Sequence, residues 1–198
     1  MLELTKDYWE QRYLKGETQW DIGTISEPFK YYFDQLTNKK LHILIPGGGK
    51  AHEAEYLFRN GFKNVFLLDW SLKALQNFSK RMPDFPVGQL INADFFQHKG
   101  QYDLLIEQTF FCALNPTLRQ SYVQHSHQLL KNQGKLVGLF FNIPLNDDRP
   151  PFGGDKEEYI SYFEDHFDIE IMELCYNSIS PRANKELFVK MVKKSKSC

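Results

Sequence analysis

From Leu41 to Asn142, short runs of Ile, Leu, Val and Phe alternate with segments whose apolar residues recur at helical spacing. That alternation constrains the fold more than any other feature. "LHILI" (41–45), "NVFLLD" (64–69), "QLINAD" (89–94), "YDLLIEQTFF" (102–111) and "GKLVGLFFN" (134–142) read as strands. "KAHEAEYLFRNG" (50–61), "LKALQNFSKRM" (72–82) and "PTLRQSYVQHSHQLLK" (116–131) read as helices, the first stopped by Gly61 and the second before Pro83. Strands joined by helices of about 10 to 15 residues pair parallel, through right-handed crossovers.

The end of the chain breaks this rhythm. After a helix in "KEEYISYFEDHF" (156–167), the strands "FDIEIMELCYN" (167–177) and "ELFVKMVKK" (186–194) are separated only by "SISPRANK". Parallel strands need a crossover of roughly a dozen residues or more, so this pair forms an antiparallel hairpin. The expected fold is α/β: a doubly wound, Rossmann-like, seven-stranded mixed sheet ending in an antiparallel hairpin. Before it stand an amphipathic helix around Lys6–Tyr13, a turn at Gly16, "TQWDIG", and a second helix near Pro28–Leu36. No repeat or linker divides the 198 residues, which read as one domain.

A formal net charge of -1 leaves no basic field for a nucleic acid or an acidic membrane surface. The N-terminus is charged and aromatic, and no apolar run approaches the roughly 18 residues that span a bilayer. The expectation is a cytoplasmic protein whose cysteines, Cys112, Cys175 and Cys198, are reduced: they are odd in number and fit no metal-ligand spacing. His125 and His127 are two apart on a helix and do not face each other, so no metal is expected.

In an open parallel sheet, ligands bind beyond the carboxyl ends of the strands. "PGGG" (46–49) stands there, where glycines admit close backbone approach and the next helix offers free N–H groups. Asp69 closes the second strand 22 residues after Gly47, the place of a ribose-binding carboxylate, although it could also cap the next helix, a role open to Ser71. Asp94 closes the third strand, where it can accept from an adenine amino group while Phe95 covers the ring. Glu107 and Gln108 close the fourth. Acid at three strand ends around one glycine loop points to an adenosine ligand. A dinucleotide fingerprint needs glycine five positions after Gly47, and His52 is there instead; no Gly-Lys-Ser/Thr follows. An adenosine ligand without phosphates fits better, namely S-adenosyl-L-methionine.

"YWEQRY", "TQWDIG", "IPGGG", "LLDWS", "ADFF", "EQTFFCALNP", "GKLVGLFFNIP" and "PPFGG" occur in an order and spacing that resemble the thiopurine S-methyltransferase-like superfamily, in its thiol, halide and thiocyanate branch. The resemblance runs from about Tyr8 to the last strand. It implies a monomeric class I methyltransferase with an N-terminal lid (1–37) on a Rossmann-like core (38–198), giving S-adenosyl-L-homocysteine as product. It further implies Trp9 and Trp20 as lid residues, Gly47 at the methionine part, Asp69 at the ribose, Asp94 and Phe95 at the adenine, and Gln108 on the far side. The plant halide enzymes have Tyr-Pro where Phe141-Asn142 stands, and tyrosine in place of Gln108.

Methyl transfer from a sulfonium is an in-line displacement that needs alignment rather than acid–base help. A soft anion needs an apolar wall. Three pairs, Phe95-Phe96, Phe110-Phe111 and Phe140-Phe141, follow or end strands three to five, and one of each pair can face the site while the other fills the core. Phe141 is the expected wall, with Phe110 or Phe111 behind it. The loop Pro150–Gly154, with Phe152, and the segment Tyr176–Arg182 are expected to roof the small-molecule substrate, Tyr176 hydrogen-bonding the nucleophile and Arg182 attracting an anion. Other readings keep the donor but methylate oxygen or nitrogen, bind the donor without catalysis, or make a nicotinamide oxidoreductase that tolerates His52.

Overall fold

The computed structural model describes residues 3–195, so Cys198 lies outside the described residues. Seven strands form one mixed sheet in the order β3-β2-β1-β4-β5-β7-β6. The chain divides into two compact units, Glu3–His98 and Lys99 onward.

The N-terminal unit contains α1 (Lys6–Lys15), α2 (Glu27–Asp34), β1 (His42–Pro46), α3 (His52–Arg59), β2 (Asn64–Asp69), α4 (Leu72–Arg81) and β3 (Leu90–Asn92). Thr5 caps α1 by accepting from the Tyr8 N–H, and Gly16 closes it in the left-handed conformation at φ 72°. The strands are parallel, with Ile45 opposite Leu67 and Leu68 opposite Ile91. Ile43, Leu44, Leu57, Phe62, Val65, Leu67 and Phe78 are the fully buried centre. β3 stops at Asn92, short of the expected Asp94. The Asp94 carboxylate accepts from the Phe96 N–H and starts a 3-10 turn over Phe95–Gln97 instead.

The C-terminal unit contains β4 (Tyr102–Gln108), α5 (Arg119–Leu129), β5 (Leu130–Phe141), α6 (Lys156–Phe163), β6 (Phe167–Leu174) and β7 (Glu186–Lys193). β4 and β5 are parallel, while β7 runs antiparallel to both β5 and β6, the expected terminal hairpin. β4 ends at Gln108 rather than Phe111, because Thr109 takes a positive φ of 60° and Glu107 draws the chain back. β5 starts at Leu130 with no loop after α5, and its register against β4 shifts between Tyr102 and Leu104. In β6 the register shifts between Ile169 and Ile171, and the intervening Glu170 reaches Lys190 of β7 at 2.9 Å.

An aromatic nest holds this unit together. Phe111 stacks on Phe140 at 4.9 Å and meets Tyr122, Tyr159 and Phe163 at 5.0, 5.8 and 5.9 Å. Phe163 also lies within 5.7 Å of Phe140 and Phe167. Truncating it removes a wholly buried ring from the middle of the nest. Phe163→Ala should cost about 3–5 kcal/mol in urea unfolding. Leu174→Ala, at an exposed strand end, should stay within about 0.5 kcal/mol.

Candidate functional site

β1 delivers the chain into the glycine turn, where Gly47 and Gly49 adopt φ of 58° and 56°. A Cβ at Gly48 would run into the buried Leu67 side chain, and one at Gly49 would lie 2.5 Å from the Tyr13 hydroxyl. Glycine is therefore required by space as well as by conformation. Beside the turn, Asp69 Oδ2 accepts from the Gly49 N–H at 2.9 Å and Oδ1 from the Ser71 N–H at 2.8 Å. Burial raises this carboxyl to about 6 against the pull of the two amides. The helix-capping alternative for Asp69 falls to Ser71, whose Oγ accepts from the Ala74 N–H at 3.1 Å.

The N-terminal segment lies over the same turn. Tyr13 is buried with its hydroxyl against Gly49. Trp20 meets Trp9 and Tyr13 edge to face at 5.8 and 5.9 Å, which brings the two expected lid tryptophans together. Glu10 accepts from the Ser71 hydroxyl at 2.6 Å and from the Lys73 N–H at 3.2 Å. Asp21 binds Lys50 Nζ at 2.6 Å, lies 3.0 Å from His52 Nε2 and accepts from the Gly23 N–H at 2.9 Å. His52, which stands where a dinucleotide fingerprint has glycine, is thus a contact of this segment. Sequence reasoning missed Glu10, Tyr13 and Asp21; a histidine in a glycine position was the available signal.

Asp94 follows β3, and its Oδ1 accepts from the Phe96 N–H at 3.0 Å. Phe95, the expected adenine cover, is 3% exposed, and its neighbour Phe96 is half-buried. These residues fit S-adenosylmethionine in kind: a turn no side chain can fill, with a buried carboxylate and two indoles beside it.

In the C-terminal unit, Gln108 is half-buried at the end of β4. Beside it Glu107 is fully buried, its Oε1 accepting from the Phe110 and Phe111 N–H groups at 2.9 Å each and its Oε2 from the Tyr122 hydroxyl at 3.0 Å. This staple turns Phe111 into the core and leaves Phe110 half-buried. Along β5, Phe140 is buried and Phe141 half-buried, the alternation expected of a strand. The Arg182 guanidinium lies 5.6 Å from the Phe141 ring centroid and 3.3 Å from Glu186, itself buried. Phe152 is 1% exposed, its N–H donating to the Cys112 carbonyl at 2.7 Å. The loop around it is fastened by Arg119, which donates to the Gly153 carbonyl and to Glu158, both at 2.7 Å. Tyr176, two residues beyond the end of β6, is 92% exposed. Cys112 is excluded as a nucleophile, since burial and the neighbouring Glu107 charge push its thiol up to about 12. Among the described residues no His, Cys, Asp and Glu group is placed to hold a metal ion.

The family model described as thiopurine S-methyltransferase matches residues 4–196. The chain is similar to probable thiol methyltransferase 2 of Arabidopsis thaliana, 27% identical over 164 residues that cover 80% of this chain and 72% of the relative. It is also similar to the thiopurine S-methyltransferase of Acinetobacter baylyi, 23% identical over 190 residues, covering 84% and 87%. Among solved structures, the Burkholderia thailandensis 1,6-didemethyltoxoflavin-N1-methyltransferase, with 1,6-didemethyltoxoflavin and S-adenosylhomocysteine bound, superposes with a TM-score of 0.77. Its sequence identity is 13%, with 96% of this chain and 87% of that one covered, so the likeness is one of fold.

Burial raises Glu107 from its ordinary 4.5 to about 7, against the pull of its three donors. A carboxyl whose folded value is raised stabilises the fold fully below its unfolded value, and that contribution is lost as pH rises through about 7. The gap from 4.5 to about 7, at roughly 1.4 kcal/mol per pH unit, amounts to roughly 3 kcal/mol. Denaturant unfolding at pH 5 and pH 8.5 should show wild type losing about that much more than Glu107→Gln between the two conditions. Equal losses in both proteins would refute it.

Proposed function

This chain belongs to the thiopurine S-methyltransferase family and is an S-adenosylmethionine-dependent methyltransferase; from that premise we propose that its acceptor is a small soft nucleophile, a thiol, thiocyanate or halide. The observation that carries this reading is the half-buried Phe141 ring with the Arg182 guanidinium against it. An apolar wall beside a guanidinium whose charge is partly met by Glu186 suits a soft, weakly hydrated anion. The carboxylate in contact with that arginine, Glu186, is engaged by the Ser178 hydroxyl at 2.7 Å as well as by Arg182, which leaves it poorly suited to act as the general base that oxygen or nitrogen methylation calls for.

In this reading Trp9, Trp20, Gly47, Asp69, Asp94 and Phe95 hold S-adenosylmethionine, with Gln108 on its far side. When bound, the donor supplies an electrophilic methyl group on a positive sulfonium. Phe110 and Phe141 exclude water and Phe152 backs them, while Arg182 draws the anion in. No residue moves a proton, because a thiol reacts as the thiolate that has already given its proton to solvent: the chain brings nucleophile and methyl carbon to about 3–3.5 Å in line. The exposed Tyr176, on the segment that also carries Arg182, is read as a hydrogen-bond donor to the nucleophile. We read the chain as one monomeric cytoplasmic domain, the single domain being supported by the family match over residues 4–196.

Two measurements test this. Incubation with S-adenosylmethionine and a panel of thiophenol, thiocyanate and iodide should release S-adenosylhomocysteine with at least one acceptor. Silence across the panel, despite good donor binding, would favour a non-catalytic binding protein. Titration with S-adenosylhomocysteine should find Asp69→Ala weaker than wild type by roughly 1–3 kcal/mol, the loss of charge-assisted hydrogen bonds. Unchanged affinity would leave Asp69 as a purely structural carboxylate.

A further inference from the structure

The N-terminal segment is fastened at two points, and both fasteners are carboxylates. Glu10, in the middle of α1, reaches the first turn of α4 and accepts from the Ser71 hydroxyl and the Lys73 N–H. Asp21, beyond α1, reaches the first turn of α3 and engages Lys50 and His52. Each target adjoins a residue assigned to the methyl donor: Lys50 follows the glycine turn directly, and Ser71 lies two residues after Asp69. Next to and between the fasteners, Trp20 packs edge to face against Trp9 and Tyr13.

The two helix ends also need these carboxylates. α3 starts from Ala51, left-handed at φ 53° and ψ 46°, with no side-chain cap of its own. Asp21 brings negative charge to that positive end, where it is favoured. Although partial burial pushes Asp21 up, hydrogen bonds from Lys50, the Gly23 N–H and His52 hold its carboxyl below the usual range, so the fastener stays charged at neutral pH. At α4, Ser71 already caps the Ala74 N–H, and Glu10 takes the Lys73 N–H of the same turn.

We propose that Glu10 and Asp21 are positioning residues for the methyl donor: they touch no part of it, but they fasten the segment that carries Trp9 and Trp20 and so set how long a bound donor stays. The proposal rests on the assignment of the donor to the glycine turn. If the two tryptophans close over that donor, it leaves only when the segment lifts, and lifting breaks both fasteners. Removing one should therefore speed release far more than it slows entry.

The test uses the full chain and S-adenosylhomocysteine. Stopped-flow displacement should show release quickened roughly tenfold in Asp21→Asn and in Glu10→Gln, and more in the double variant, with association changed less than about threefold. Asp21→Glu should return release toward the wild-type rate. Hydrogen exchange in residues 5–23 should quicken in the same variants without ligand. Should Asp21→Asn fail to fold, Lys50→Gln with His52→Gln breaks the same fastener from the other side. Release at the wild-type rate, even with faster exchange, overturns the proposal, because the segment would then loosen without the donor responding. A wild-type chain that binds no S-adenosylhomocysteine overturns the donor assignment itself, a result distinct from tight binding that ignores the variants.

Discussion

The Asp69 carboxylate ties together the parts of the N-terminal unit that matter most. One oxygen holds the Gly49 amide and the other the Ser71 amide, so one buried charge sets both the turn after β1 and the start of α4. A buried carboxylate survives only when hydrogen-bonded, which makes the arrangement rigid by necessity. The same device recurs at the other acidic strand ends. Asp94 folds back onto the Phe96 amide, and Glu107 onto those of Phe110 and Phe111. Each acid bonds backbone two to four residues ahead of it. What the sequence presents as a ring of ligand-binding acids is first a set of local staples that aim the following loops.

Those staples also sort the aromatics. Phe111 is drawn into the nest with Phe140, Tyr159 and Phe163, while Phe110 stays half-buried. Arg119, almost wholly buried, lies 5.1 Å above the Phe111 ring and holds the Gly153 carbonyl, linking the nest to the loop around Phe152. In the C-terminal unit the proposed acceptor wall is thus the outer layer of a dense core. Chemistry that depends on alignment and dryness is best served by rings that cannot shift.

Much of this was legible in the sequence. Apolar periodicity located β2 at Asn64–Asp69 to the residue, and the short "SISPRANK" connection predicted the antiparallel β6–β7 pair. Strand ends were less legible: β3 and β4 both stop early because a side chain competes for the backbone, through Asp94 in one and Glu107 with Thr109 in the other. Propensity does not see such competition, since its partners are fixed only when the loop folds. The Phe pairs divide between core and half-buried positions as expected, but strand alternation is the cause only for Phe140 and Phe141; the other two pairs sit in or beside 3-10 turns. The long-range contacts of Glu10, Tyr13 and Asp21 depend on tertiary approach, and only the misplaced histidine hinted at them.

The irregularity in β6 has a consequence for the protein in a crowded solution. β6 is the last strand in the sheet order, and a regular outermost strand invites pairing with strangers. The shift at Glu170 interrupts its row of free amides and carbonyls, and swings a carboxylate inward onto Lys190. At the opposite margin β3 is only three residues long, too brief a template for a foreign strand to copy. Both rims are blunted, so the sheet resists growing into an aggregate by the same hydrogen bonding that builds it.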